Sequence, residues 1–158
     1  MELYGTLGTL ESRRKGGVAS QKKFREDSIY AKKVGFILRK KVKYPDKSSL
    51  LAEFTGIMVG DGNVRGDYQI AIAFNGKKDQ DYAPHIQGMI KKLFSIQSSR
   101  HMRKENGGAD IVVSGKNLVE FLERLGIKKG NKAANQINIP NWIFEHREYQ
   151  IACLQGFF

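Results

Sequence analysis

At 158 residues the chain has room for one ordinary hydrophobic core with appendages, and its 41% apolar content suits a globular fold. No apolar run approaches the roughly 20 residues of a membrane-spanning helix, and no signal-peptide core stands at the start. A single cysteine, Cys153, excludes a disulfide framework or a cysteine-based zinc site within the chain, and a net charge of +11 points to an anionic partner. The expected location is the cytoplasm, beside the nucleoid, or an organellar matrix, and not outside the cell.

The charge is unevenly placed. Residues 1–47 hold 13 Lys/Arg against 5 Asp/Glu, whereas residues 48–158 hold 14 against 11, so a basic leader precedes a nearly balanced domain. That is the electrostatic footprint of phosphate binding. The basic runs include Arg13, Arg14, Lys15, Lys22 and Lys23, punctuated by Phe24, Ile29, Tyr30, Phe36 and Ile37. One or two short helices are expected between Gly16-Gly17 and Pro45, with too little apolar surface to fold alone. Residues 1–47 therefore read as a DNA-gripping arm.

Ser48 or Asp46 caps the next predicted helix, in which Leu50, Leu51, Phe54, Ile57 and Met58 recur at helical spacing. Gly56 and Gly60 remove side chains from one face of it, so another backbone can approach there. The helix ends on Gly60-Asp61-Gly62, which sets one carboxylate at its tip. After a short strand at 63–65 and a turn at Gly66-Asp67, the period switches to two. Tyr68, Ile70, Ile72 and Phe74 are assigned to the core face; Gln69, Ala71, Ala73 and Asn75 form a polar face suited to lie against a large partner.

A loop with Lys77 and Lys78 follows, and Ala83-Pro84 opens a helix with Ile86, Met89, Ile90, Leu93 and Phe94 as its stripe. The next hairpin is expected from Ile96 to Arg103, a turn at Asn106-Gly107-Gly108, and Ile111–Val113. Gln97, Ser99, His101 and Arg103 share one face of its first strand. Ser114 is assigned as the N-cap of a helix over 117–125 that Gly126 ends. A basic loop, Lys128-Lys129-Gly130-Asn131-Lys132, leads to Ile139-Pro140-Asn141-Trp142 and a last helix at about 145–158. His85, His101 and His146 are too dispersed for a zinc site or a histidine-based nuclease centre.

The last helix repeats the first motif. Phe54-Thr55-Gly56-Ile57-Met58 and Leu154-Gln155-Gly156-Phe157-Phe158 lie 100 positions apart, with a compact αββαββ pattern between them. A helix motif recurring at domain-sized spacing suggests internal duplication.

The segment Phe54-Thr-Gly-Ile-Met-Val-Gly-Asp-Gly62 resembles the nine-residue signature of the LAGLIDADG homing endonucleases, and Ile139-Pro-Asn-Trp142 resembles the entry to that family's second signature. The resemblance covers about residues 48–158. It implies an α+β fold, an αββαββα unit whose antiparallel sheet forms a DNA-binding saddle, preceded here by the basic arm. Residues 48–138 would be the unit and 139–158 the start of a second. Gly56, Gly60 and Gly156 would pack the two signature helices, and Asp61 would hold a divalent metal, normally magnesium, near a scissile phosphate. Lys78 is the nearest match to the family's basic residue beside that phosphate. Gln69, Asn75, Lys77, Gln97, Ser99, His101 and Arg103 would contact double-stranded DNA.

The same 100-residue offset carries the counterpart of Asp61 past Phe158, so a second acid is expected from a second unit in a longer chain or from a homodimer. The expected activity is site-specific hydrolysis of double-stranded DNA. The competing reading is a non-catalytic DNA- or RNA-binding protein of the same fold, a transcription regulator or an intron maturase.

Overall fold

In the computed structural model, residues 8–35, 39–103, 107–130, 132 and 138–158 are described. Phe36 and Ile37 of the arm, Asn106 of the second turn and Asn131 of the basic loop lie outside them. The chain divides into two compact units, Met1–Arg39 and Lys40–Phe158.

The first unit holds α1 (Leu10–Glu26) and α2 (Ser28–Lys33). Here the sequence expectation needs correcting, because α1 runs straight through Gly16 and Gly17. Thr9 caps it by accepting from the Ser12 N–H, Glu11 sits in its first turn, and Lys23 and Arg25 sit in its last, complementing the helix dipole. These local terms offset the roughly 1 kcal/mol that each interior glycine costs. No side chain of α1 is buried, and of α2 only Ala31 is. Asp27 separates the helices and caps α2 by accepting from Ile29 and Tyr30. Lys23 lies 4.5 Å from the ring centre of Tyr30, which stacks on Phe24.

The arm also ends earlier than its charge suggests. Val42 packs against the core of the second unit, and Lys43 N–H donates to the carbonyl of Phe94. Residues 40–47 therefore belong to that unit.

The second unit runs α3 (Ser49–Gly60), β1 (Gly62–Arg65), β2 (Gln69–Asn75), α4 (Tyr82–Phe94), β3 (Ser99–Met102), β4 (Gly108–Ser114), α5 (Lys116–Arg124), a 3₁₀ turn (Asn141–Glu145) and α6 (Arg147–Phe157). The four strands form one antiparallel sheet in the order β1-β2-β4-β3. This is the expected α+β architecture. Ile70 and Ile72 pair with Val113 and Ile111 in register, and these four face the helices. Phe54 meets Phe94 edge to face at 5.2 Å, and Phe94 meets Phe121 likewise at 6.0 Å, locking α3, α4 and α5 together above the sheet.

Three local expectations change. Tyr68 is exposed in the turn before β2, beside Lys116, instead of starting the core face, because β2 begins at Gln69. Ser114 is the last residue of β4, paired with Gln69, and Gly115 takes the N-cap position of α5. The final helix is preceded by a separate 3₁₀ turn that buries Trp142 and Ile143. Ser48 does cap α3, accepting from Leu51, and Gly126, at φ +99°, does follow the end of α5.

Candidate functional site

The site begins where α3 crosses α6. A Cβ added at Gly56 would collide with the Cys153 carbonyl, its carbon 2.9 Å away, and would sit 3.1 Å from the Phe157 nitrogen. A Cβ added at Gly156 would collide with the Glu53 carbonyl, its carbon again 2.9 Å away, and would sit 3.1 Å from the Ile57 nitrogen. Cys153 and Phe157 stand 100 positions after Glu53 and Ile57, so the two helices touch through equivalent atoms. The repeat seen in the sequence is a local two-fold axis in space. Only glycine permits this approach, since backbone meets backbone with no side chain to swing away. Gly60 continues the contact, at 3.2 Å from its virtual Cβ to the Phe157 carbonyl oxygen.

Asp61 stands at the C-terminal end of α3, exposed, with its N–H bonded to the carbonyl of Ile57 at 2.9 Å. Its own carbonyl accepts from Ala73 of β2 at 3.1 Å, tying the helix tip to the sheet. A helix C-terminus is the unfavourable end for a carboxylate. Lys132 offsets this. Its ammonium donates to the carbonyls of Val59 at 2.9 Å and Gly60 at 2.5 Å, taking up two acceptors of the last helical turn. Burial pushes the Lys132 pKa down, and the Asp61 carboxylate pulls it back up.

Asp61 opens onto a concavity of about 820 Å³ that it lines with Asn75, Lys78, Asp79, Asp81 and Tyr82. The structure thus brings Asp61 and Lys78, 17 positions apart in the chain, to one depression. Burial raises the pKa of the Tyr82 phenol, and the carboxylates of Asp61, Asp79 and Glu53 raise it further. Among the described residues no group of three His, Cys, Asp or Glu side chains is arranged to hold a metal. His85 pairs with Glu53 at 2.9 Å on the helix surface.

The other candidates divide by place. Gln69, Ser99 and His101 lie on the sheet face opposite the helices, with Arg103 just past the end of β3 and Gln97 exposed just before its start. Gln69 donates to the Ser114 hydroxyl at 3.2 Å, and the Ser99 hydroxyl donates to the Val112 carbonyl at 3.5 Å. Asn75 is occupied locally: its Oδ1 accepts from the N–H groups of Lys77 and Lys78, both at 3.1 Å, shaping the turn that presents those lysines. Arg103 is engaged by Asp110. Arg13, Arg14, Lys15, Lys22 and Lys23 are exposed on α1, where Lys15 pairs with Glu11 at 2.8 Å.

Sequence reasoning missed Lys132, although the basic loop containing it was plain. Its contact with α3 spans more than 70 residues, which no local pattern reports. It also missed Asp110, which a strand alternation places on the polar face without revealing its partners.

No family model matches the chain. Among curated proteins it is similar to the replication factor C small subunit of Methanocaldococcus jannaschii, 29% identical over 98 residues, which are 62% of this chain and 5% of that protein. The chain therefore spans only a small part of the relative that it matches. Among solved structures it is similar to mesophilic variants of the homing endonuclease I-DmoI and to I-DmoI in complex with DNA and manganese, each at 22% identity and a TM-score of 0.45, over 69% of this chain and 59% of that one.

Proposed function

We propose that this chain is one unit of a LAGLIDADG-type, site-specific double-stranded DNA endonuclease. The observation that carries the reading is the glycine-to-glycine crossing of α3 and α6 with Asp61 at its end. A close backbone crossing fixes the acid relative to a second helix of the same kind, which a turn carboxylate does not need.

The residues fit a hard divalent cation such as magnesium. That ion is commonly held by one or two carboxylates together with substrate phosphate oxygens, not by an all-protein cage. Asp61 would hold it; bound there, the ion would neutralise charge developing on the phosphoryl group and lower the pKa of water. Around it, Lys78 supplies a cation at the rim of the same concavity. Lys132 satisfies the carbonyls behind Asp61 and holds a positive charge beside it. The sheet face would lie in the major groove, with α1 as an electrostatic grip on flanking phosphates.

A second unit of the same kind belongs to this reading. Positions equivalent to the buried Leu51 and Phe54 are Ile151 and Leu154, which are half exposed on α6. That apolar face suits a second αββαββ layer, carried by the same polypeptide or another copy. A homodimer formed through the glycines of α3 would first have to displace α6.

Magnesium-dependent cutting of plasmids that carry a library of candidate sites tests the proposal. Wild-type protein should linearise a subset, and Asp61→Asn should abolish cutting while retaining DNA binding. Cutting that survives Asp61→Asn would remove Asp61 from the chemistry. Magnesium-independent binding without cutting of any site would favour the non-catalytic regulator, and preference for structured intron RNA would favour the maturase.

A further inference from the structure

On the sheet face opposite the helices, Asp110 lies on the central strand β4 and is only 7% exposed. Two guanidinium groups converge on it. Arg103, just past the end of β3, donates through Nε at 3.0 Å to one oxygen and through a terminal nitrogen at 2.5 Å to the other. Arg65, from edge strand β1, reaches the same carboxylate at 3.5 Å. To do so it must cross β2, whose residues on this face are Gln69, Ala71, Ala73 and Asn75; the short side chains of Ala71 and Ala73 lie nearest Asp110 in the register.

Both arginine side chains remain more than two-fifths exposed, so their unused donors face solvent. Arg103 spends two of its five N–H donors on the carboxylate and Arg65 at most one. The cluster carries two positive charges and one negative, and it spans the middle of the sheet.

We infer that Asp110 is a positioning residue that holds Arg65 and Arg103 as preset readers of guanine in duplex DNA. This rests on the proposed DNA-binding function and adds the base that the centre of the face selects. Three features favour a base edge over a phosphate as the target. Although Arg65 and Arg103 are rooted at the two edge strands, their guanidiniums meet at Asp110 on central strand β4, away from the sheet edges. A buried carboxylate beside each guanidinium opposes an approaching phosphate but costs little toward the neutral O6 and N7 acceptors of guanine. Finally, the carboxylate orders two side chains that would otherwise lose rotamer freedom on binding.

The test is selection of bound duplexes from a pool of randomised double-stranded DNA, with magnesium withheld, by wild-type chain, Asp110→Asn and Arg103→Lys. Wild type should enrich a motif with guanine at one or more central positions. Asp110→Asn should weaken that guanine preference about tenfold. The same change should hold or strengthen binding to an unrelated duplex and steepen its salt dependence, because the freed guanidiniums can reach phosphates. Arg103→Lys should lose the same guanine preference, since lysine lacks the planar fork.

A merely structural Asp110 would lower specific and non-specific binding together, and that result overturns the inference. So does an unchanged motif in both variants. If wild type enriches no sequence at all, the site-specific reading of the whole protein falls first, a result distinct from the failure of the clamp alone.

Discussion

Helices α3 and α6 carry the same glycine motif and meet through equivalent atoms, yet their outer faces have opposite fates. Leu51 and Phe54 of α3 are 0% exposed, roofed by α4, α5 and the sheet; their equivalents Ile151 and Leu154 on α6 are 50% and 52% exposed. The crossing therefore depends only on the shared motif, whereas burial of the far face depends on what each helix has been given to pack on. A repeat in sequence can be symmetric at its axis and asymmetric everywhere else.

The largest test of that contrast is a pair of truncations. Phe54→Ala should cost about 4 kcal/mol, as expected for an aromatic deleted from a closed core, while Leu154→Ala should cost under about 1 kcal/mol. Urea denaturation midpoints would measure both, and comparable losses would mean that α6 is as well covered as α3. The glycines should behave oppositely. Gly56→Ala and Gly156→Ala each force the same two backbones apart, so each should cost about 3 kcal/mol and by similar amounts. A large inequality would break the two-fold. Gly60→Ala, whose new methyl would meet one carbonyl oxygen at 3.2 Å, should cost only about 1 kcal/mol.

Another small effect lies away from the helices. The Arg103 hydrogen bond holds the Asp110 carboxyl below its ordinary value of 3.8, against the upward push of burial. A depressed carboxyl stabilises the fold fully above that ordinary value and loses the contribution as pH falls through the lower folded value. Asp110→Asn should therefore be less stable than wild type by about 1 kcal/mol at pH 7, a figure discounted because both arginines are partly solvated. The gap should close as pH falls below the usual carboxylate range, as read by thermal melts across pH. A gap that persists unchanged to low pH would mean that the ion pairs contribute nothing.

Much of the second unit was legible because its residues speak locally. The period of two in Ile70–Ile72 and the stripe Ile86–Phe94 each state a structure within a few residues, and Gly56 with Gly156 stated a contact by repetition. The alternation misled at its end, where Tyr68 matches the pattern but stands in a turn that the hairpin register places before the strand. Gly16 and Gly17 misled in the other direction. A helix stop needs more than permissive residues, and the caps and end charges of α1 outweigh them. In the candidate site, Asp61 was visible because glycines frame it. Lys132 and Asp110 were not, because what makes them notable is a partner distant in sequence and close only after folding.

The hydrogen bond from Ala73 N–H to the carbonyl of Asp61 has a metric consequence. It indexes the acid to one rung of β2, so its position along the sheet is counted in whole residues from each side chain on the exposed face. Anything Asp61 engages is held at a set offset from whatever those side chains engage. Moving that offset would require inserting or deleting a residue in the strand, since no flexible joint separates the two. The molecule carries its own ruler, graduated at the spacing of a β-strand.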